Sequence, residues 1–146
     1  PPLKAVVPGG SSTPVLRADE IDIAMDFDSV RNAGSQFGTA AVMVISEGAC
    51  MVEVLRRISA FYMHESCGQC TPCREGTGWM HRIIDNIERG FGKKEDLVLL
   101  DKIAAQIMGR TICALGDAAA MPVQSFVKKF RPEFEAHVEK GGCPYK

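Results

Sequence analysis

Three stretches of the chain repeat apolar residues at helical spacing. Val54, Leu55, Ile58, Phe61 and Tyr62 share one face, Met80, Ile83, Ile84 and Ile87 a second, and Leu100, Ile103, Ala104, Ile107 and Met108 a third. Each predicts an amphipathic helix. A fourth is expected from Pro122, with Val123, Phe126, Val127 and Phe130 inward, until Pro132 disfavours a helical conformation at Arg131 and restarts a turn of helix through about Val138. Four helices with short links suggest a bundle. Stripes of this kind are what a core requires, so chemistry is sought in the loops.

Ahead of Cys50 the pattern changes. Lys4-Ala5-Val6-Val7 reads as a short strand stopped by Pro8-Gly9-Gly10, and Ala41 to Ile45 as a second run rich in β-branched residues. Between them Asp28 is expected to cap a short helix through about Ala33, closed by Gly34. Two or three strands and one helix cannot bury a sheet face unaided. The chain therefore divides into a partial α+β segment, residues 1–47, and a helical bundle, residues 48–146, whose tail from Gly141 is expected to be mobile.

Composition narrows the function. A chain of 146 residues, 46% hydrophobic and 24% charged, fits one ordinary domain or a domain with a smaller appendage. Lys+Arg 17 against Asp+Glu 18 leaves a net charge of −1, so there is no electrostatic case for nucleic acid or an anionic membrane, and partners are expected to be proteins. The longest clean apolar run, Ala40 to Ile45, is far short of the roughly 18 residues a membrane span needs. A soluble chain is expected. It opens on Pro1-Pro2 rather than Met and has no signal-peptide pattern, so an upstream part is expected as well.

Six cysteines would invite disulfides in a secreted protein, but three of them crowd into Cys67-Gly68-Gln69-Cys70-Thr71-Pro72-Cys73 and no export signal supports oxidation. Two intervening residues let the chain turn tightly, so that successive thiolates converge on one centre. Three such thiolates with a distant fourth are the pattern of a [4Fe–4S] site, and Cys113, on the loop past Gly109, is the expected fourth. Structural zinc prefers two separate pairs, and a zinc-stabilised helical interaction module without a redox role is the competing reading. Cys143, followed by Pro144, is an alternative fourth ligand, while Cys50 reads as a small buried hydrophobe. His64 is given no role.

The loop also carries electrostatics. Thr71 is the expected N-cap and Pro72 the first helical residue, which puts Cys73 in a first turn whose free N–H groups stabilise an anionic cluster. Arg74 either adds to that effect or is simply solvated. Gly76 and Gly78 fall inside a predicted helix at a cost of about 1 kcal/mol each relative to Ala, which close packing would explain. No glycine-rich phosphate loop and no hydrolytic triad is present. On these residues the chain is an electron-transfer module. The fold class is mostly α: a four-helix bundle binding an iron–sulfur cluster, preceded by the partial α+β segment.

The string Glu65-Ser66-Cys67-Gly68-Gln69-Cys70-Thr71-Pro72-Cys73-Arg74-Glu75-Gly76, with Gly109-Arg110-Thr111-Ile112-Cys113-Ala114-Leu115-Gly116-Asp117, resembles the flavin-bearing, NADH-binding subunit of respiratory complex I. It is similar also to the diaphorase subunits of NAD-linked hydrogenases and formate dehydrogenases. Residues 48 to about 139 resemble that subunit's C-terminal iron–sulfur bundle, and Leu3 to Ile45 the end of its β-grasp (SLBB) domain. The resemblance implies that Cys67, Cys70, Cys73 and Cys113 ligate a [4Fe–4S] cluster, which receives single electrons from FMN after FMN has accepted hydride from NADH. It implies too that the FMN and NAD sites lie in an N-terminal domain this sequence lacks, so the piece alone is not expected to be catalytic. The implied partners are that flavin domain and other iron–sulfur subunits of a multisubunit complex. The implied location is peripheral, on the cytoplasmic face of the membrane, or on the matrix side in a eukaryote.

Overall fold

The structure, a computed structural model, describes residues 1–145; Lys146, the end of the tail, lies outside them. Strands β1 (Leu3–Val7), β2 (Leu16–Arg17) and β3 (Met43–Ser46) and helix α1 (Phe27–Asn32) precede five longer helices. These are α2 (Met51–Glu65), α3 (Thr71–Glu88), α4 (Lys94–Ile107), α5 (Leu115–Lys129) and α6 (Arg131–Lys140). The molecule is mostly α, a helical bundle preceded by a small sheet, as the patterning predicts.

The sheet is antiparallel in the order β2-β1-β3, with Ala5 opposite both Arg17 and Ile45. Its inward residues Ala5, Val7 and Ile45 join the core that the helices make, so the small sheet buries its face against the bundle. An ion pair ties the two: Lys4 Nζ lies 2.6 Å from Glu133 Oε1 on α6 and donates to the Ala49 carbonyl at 2.7 Å. The rest of the core is Leu55 and Ile58 on α2, Ile84 and Ile87 on α3, Leu100 and Ile107 on α4, and Val123, Phe126 and Val127 on α5.

Several boundaries differ from the sequence expectation, each for a local reason. Asp26, not Asp28, caps α1, because from there its carboxylate accepts the Ser29 N–H at 2.8 Å; Asp28 pairs with Arg31 on the surface. Helix α5 begins at Leu115 and carries Pro122 inside it. The run Ala118-Ala119-Ala120 favours helix strongly, and Pro122 is buried, which together outweigh one missing backbone donor. Phe61, expected inward, is 53% exposed and packs edge-on against Tyr62.

The described part of the tail, residues 141–145, is folded back rather than free. Gly141 adopts a left-handed conformation (φ 68°) that ends α6, and the Gly142 N–H then donates to the His137 carbonyl at 3.0 Å. Gly90, at φ 86°, sits so close to the Gly141 carbonyl that a side chain there would collide with it. Tyr145 lies under the Lys4 ammonium, 4.8 Å from ring centroid to Nζ.

Candidate metal centre

Cys67 and Cys70 lie on the turn between α2 and α3, and Cys73 is the third residue of α3. The turn needs Gly68, whose φ of 81° other residues rarely adopt. Arg74 clamps it by donating to the Gly68 carbonyl at 2.9 Å and to Thr71 Oγ1 at 3.4 Å, with Glu75 Oε1 at 3.0 Å from its Nε. Arg74 is thus a brace of the cysteine loop, neither merely solvated nor an uncompensated charge beside it.

Cys70 itself is the N-cap of α3, one residue before the expected Thr71, and Pro72 follows at the second helical position. No side chain caps the helix there, and the positive end of its dipole lies beside the cysteine loop. Cys73 is buried, its sulfur 3.2 Å from Ser66 Oγ. Thr77 bonds back to the Cys73 carbonyl at 2.8 Å and holds that turn.

Cys113 comes from the α4–α5 loop. Its approach is fixed by Gly109, at φ 69°, whose N–H donates to Asp117 Oδ1 at 2.7 Å, and by Thr111 Oγ1, which donates to the Cys113 carbonyl at 2.8 Å. The Ile112 N–H donates to Cys70 Sγ at 3.3 Å, joining the two cysteine segments directly. Cys67, Cys70, Cys73 and Cys113 all line one cavity of about 130 Å³, with Glu65, Ser66, Gln69, Thr111 and Leu115 completing its wall. Four sulfurs around a cavity at the positive end of a helix fit an anionic, thiolate-bound group.

Helix packing sets this geometry. Gly76 and Gly116 face Ile107 from opposite helices: a Cβ at Gly76 would lie 2.6 Å from Ile107 Cδ1, and one at Gly116 would lie 3.1 Å from Ile107 Cγ2. Close packing therefore accounts for Gly76. It does not account for Gly78, where an added Cβ would meet only Met63 Sδ, at 4.0 Å.

The structure places the remaining cysteines elsewhere. Cys143 is not on the cavity but beside Cys50, Glu88 and His137. Burial, with Glu88 and Cys143 adding to it, pushes the Cys50 thiol up to about 12. His64 is exposed and bonded to Glu65. Sequence reasoning missed Ser66 and the Ile112 amide: a backbone donor leaves no mark in a sequence, and only the turn spacing could have placed Ser66 next to a sulfur.

A cavity lined by four cysteines and framed by a helix bundle is a candidate thiolate metal centre. The chain belongs to the NADH-ubiquinone oxidoreductase-F iron-sulfur binding region family, whose model matches residues 53–137. A [4Fe–4S] cluster is the cofactor that goes with that family. Among relatives, the NADH-quinone oxidoreductase F subunit of Mycobacterium tuberculosis (strain ATCC 25618 / H37Rv) is 50% identical over 143 residues, 98% of this chain and 32% of that protein. The corresponding F 2 subunit of Rhizobium meliloti (strain 1021) is 49% identical over 143 residues, 98% of this chain and 34% of that protein. The chain thus spans about a third of the length of the curated relatives it matches. Among solved structures, a NAD+-reducing [NiFe]-hydrogenase in the H2-reduced state superposes with a TM-score of 0.84 at 27% identity, over 94% of this chain and 23% of that one.

Proposed function

We propose that Cys67, Cys70, Cys73 and Cys113 ligate one [4Fe–4S] cluster, and that the chain relays electrons singly within an NADH-oxidising enzyme of the NADH:quinone oxidoreductase type. The observation that carries this is the convergence of the cysteines, from two separate loops, on one cavity at the start of α3. When bound, such a cluster takes and gives up one electron at a time.

The residues around it have distinct tasks. The Ile112 N–H donates to Cys70 Sγ, and the positive end of α3, which starts beside the cysteines, adds to the stabilisation of negative charge there, most of all in the reduced state. Arg74 and Gly68 hold the loop's shape, and Ser66 offers a hydroxyl to Cys73. Ile112 is 89% exposed next to Cys113, an apolar edge suited to coverage by the rest of the parent protein.

In that parent, FMN and the NAD site belong to a domain outside this chain, and hydride is split there into single electrons. Identity of about 50% to NADH-quinone oxidoreductase F subunits supports a quinone-reducing parent with further iron–sulfur subunits as partners. Among the described residues no helix is long and apolar enough to cross a membrane, which suits a peripheral place on the side where NADH is oxidised.

Purification without oxygen tests the reading. The expected product is brown, with about four irons and four sulfides per chain and an EPR signal after reduction. A colourless product that keeps zinc in place of iron at these cysteines, even after anaerobic reconstitution, would establish the zinc module instead.

A further inference from the structure

We propose that Cys50, Glu88, His137 and Cys143 form a second metal site, a closed structural zinc site that pins the carboxyl-terminal tail to the helical bundle. One ligand atom from each lies within 4.8 Å of all the others. The four come from the N-cap of α2, the last turn of α3, the middle of α6 and the tail, so a cation there would join four separate parts of the fold.

The spacing suits a tetrahedral ion. Cys50 Sγ is 3.2 Å from His137 Nε2 and 3.6 Å from Glu88 Oε2, and Nε2 is 3.2 Å from that same oxygen. Zinc bond lengths of about 2.3 Å to sulfur and 2.0–2.2 Å to nitrogen or oxygen put tetrahedral ligand atoms about 3.4–3.8 Å apart. Cys50, Glu88 and His137 need adjustments of a few tenths of an ångström, and Cys143 Sγ, within 4.8 Å of the other three, needs a shift of at most about 1 Å.

Histidine chemistry points the same way. His137 Nδ1 lies 2.7 Å from the Glu133 carbonyl oxygen, which can only accept, so Nδ1 carries the proton. In the neutral ring Nε2 then turns a lone pair toward Cys50 and Glu88. A ring nitrogen fixed by a backbone carbonyl on its far side is the arrangement that metal-ligating histidines adopt.

Burial shields the four donors from water. His137 is fully buried and Glu88 only 5% exposed, and a divalent ion supplies the charge that keeps two thiols deprotonated beside a carboxylate. Four protein donors leave no open position, as in structural rather than catalytic zinc sites. Gly141 and Gly142 reverse the chain directly after α6 and so return Cys143 to the helix that carries His137.

Metal analysis of the whole 146-residue chain, purified without chelator, tests this separately from the cluster. Expected is about one zinc per chain beside the iron, with X-ray absorption at the zinc edge fitting two sulfurs and two nitrogen or oxygen atoms. Cys143→Ser should lose most of the zinc and keep its iron; Cys113→Ser should lose iron and keep zinc. Because Cys50→Ser or His137→Gln could unfold the core, cobalt(II) added to the unaltered chain gives a second readout: tetrahedral thiolate bands that equimolar zinc abolishes. The proposal fails if the chain neither retains zinc nor takes up either ion. It fails equally if the zinc survives Cys143→Ser but leaves with Cys113→Ser, since the metal then sits among the cavity cysteines.

Discussion

The backbone N–H of Ile112 donates to Cys70 Sγ at 3.3 Å, across 42 residues of sequence. This contact joins the loop that carries Cys113 to the cap of α3, and it aims a fixed donor at a sulfur whose charge changes with the redox state of the proposed cluster. Hydrogen bonds to cluster sulfurs raise the reduction potential by favouring the more negative state. Removing this donor with Ile112→Pro should lower the potential. A difference of about 1 kcal/mol between redox states corresponds to about 40 mV for one electron. Voltammetry on a variant preparation that keeps full iron content provides the check; an unchanged potential would mean that the contact has no electrostatic role.

Ile107 fills the space between two glycines, and the packing there should be sensitive to a single methyl. Gly76→Ala puts a Cβ 2.6 Å from Ile107 Cδ1. Overpacking of about 1–3 kcal/mol should exceed the helix-propensity gain of about 1 kcal/mol, so the variant is expected to be less stable. Adding Ile107→Val, which removes that methyl, should restore part of the loss. Gly78→Ala meets only Met63 Sδ at 4.0 Å and should stabilise the chain by about 1 kcal/mol. Urea unfolding of both variants checks the contrast; equal effects would contradict the packing described.

Much of this was readable from sequence, because helical periodicity and cysteine spacing are local signals. The apolar stripes predicted α2, α3 and α4, and the cysteine turn predicted the start of α3 to within one residue. Pro122 misled because proline usually marks a helix's first turn, whereas here tertiary burial and an alanine-rich preceding turn carry α5 through it. Phe61 lay on the edge of its stripe, where periodicity cannot decide which residues the neighbouring helices cover. The meeting of Cys50, Glu88, His137 and Cys143 had no local signal at all. Those residues are brought together only by the packing of α2, α3 and α6 and by the reversal at Gly141.

Acid should weaken the face of α2. The hydrogen-bonded Arg56 guanidinium, seconded by Arg57, holds the Glu53 carboxyl down at about 2, below its ordinary value near 4.5. A depressed folded value means that the contribution is fully present above about pH 4.5 and is lost as the pH falls toward 2. Solvent screening and the exposure of Arg57 reduce it to about 1 kcal/mol. The unaltered chain should therefore exceed Glu53→Gln in stability by about that amount at pH 6, and the gap should close on acidification. Metal loss in acid affects both chains alike and cancels in the difference. A gap that stays constant from pH 6 to about 2 would rule out the linkage.

The choice of ligands is tested most directly by iron content and low-temperature EPR of the reduced protein, compared between Cys113→Ser and Cys143→Ser. If Cys67, Cys70, Cys73 and Cys113 hold the cluster, Cys113→Ser loses most of its iron and its native signal, while Cys143→Ser keeps both. Full iron and an unchanged signal in Cys113→Ser, with loss in Cys143→Ser, would contradict the assignment of the site.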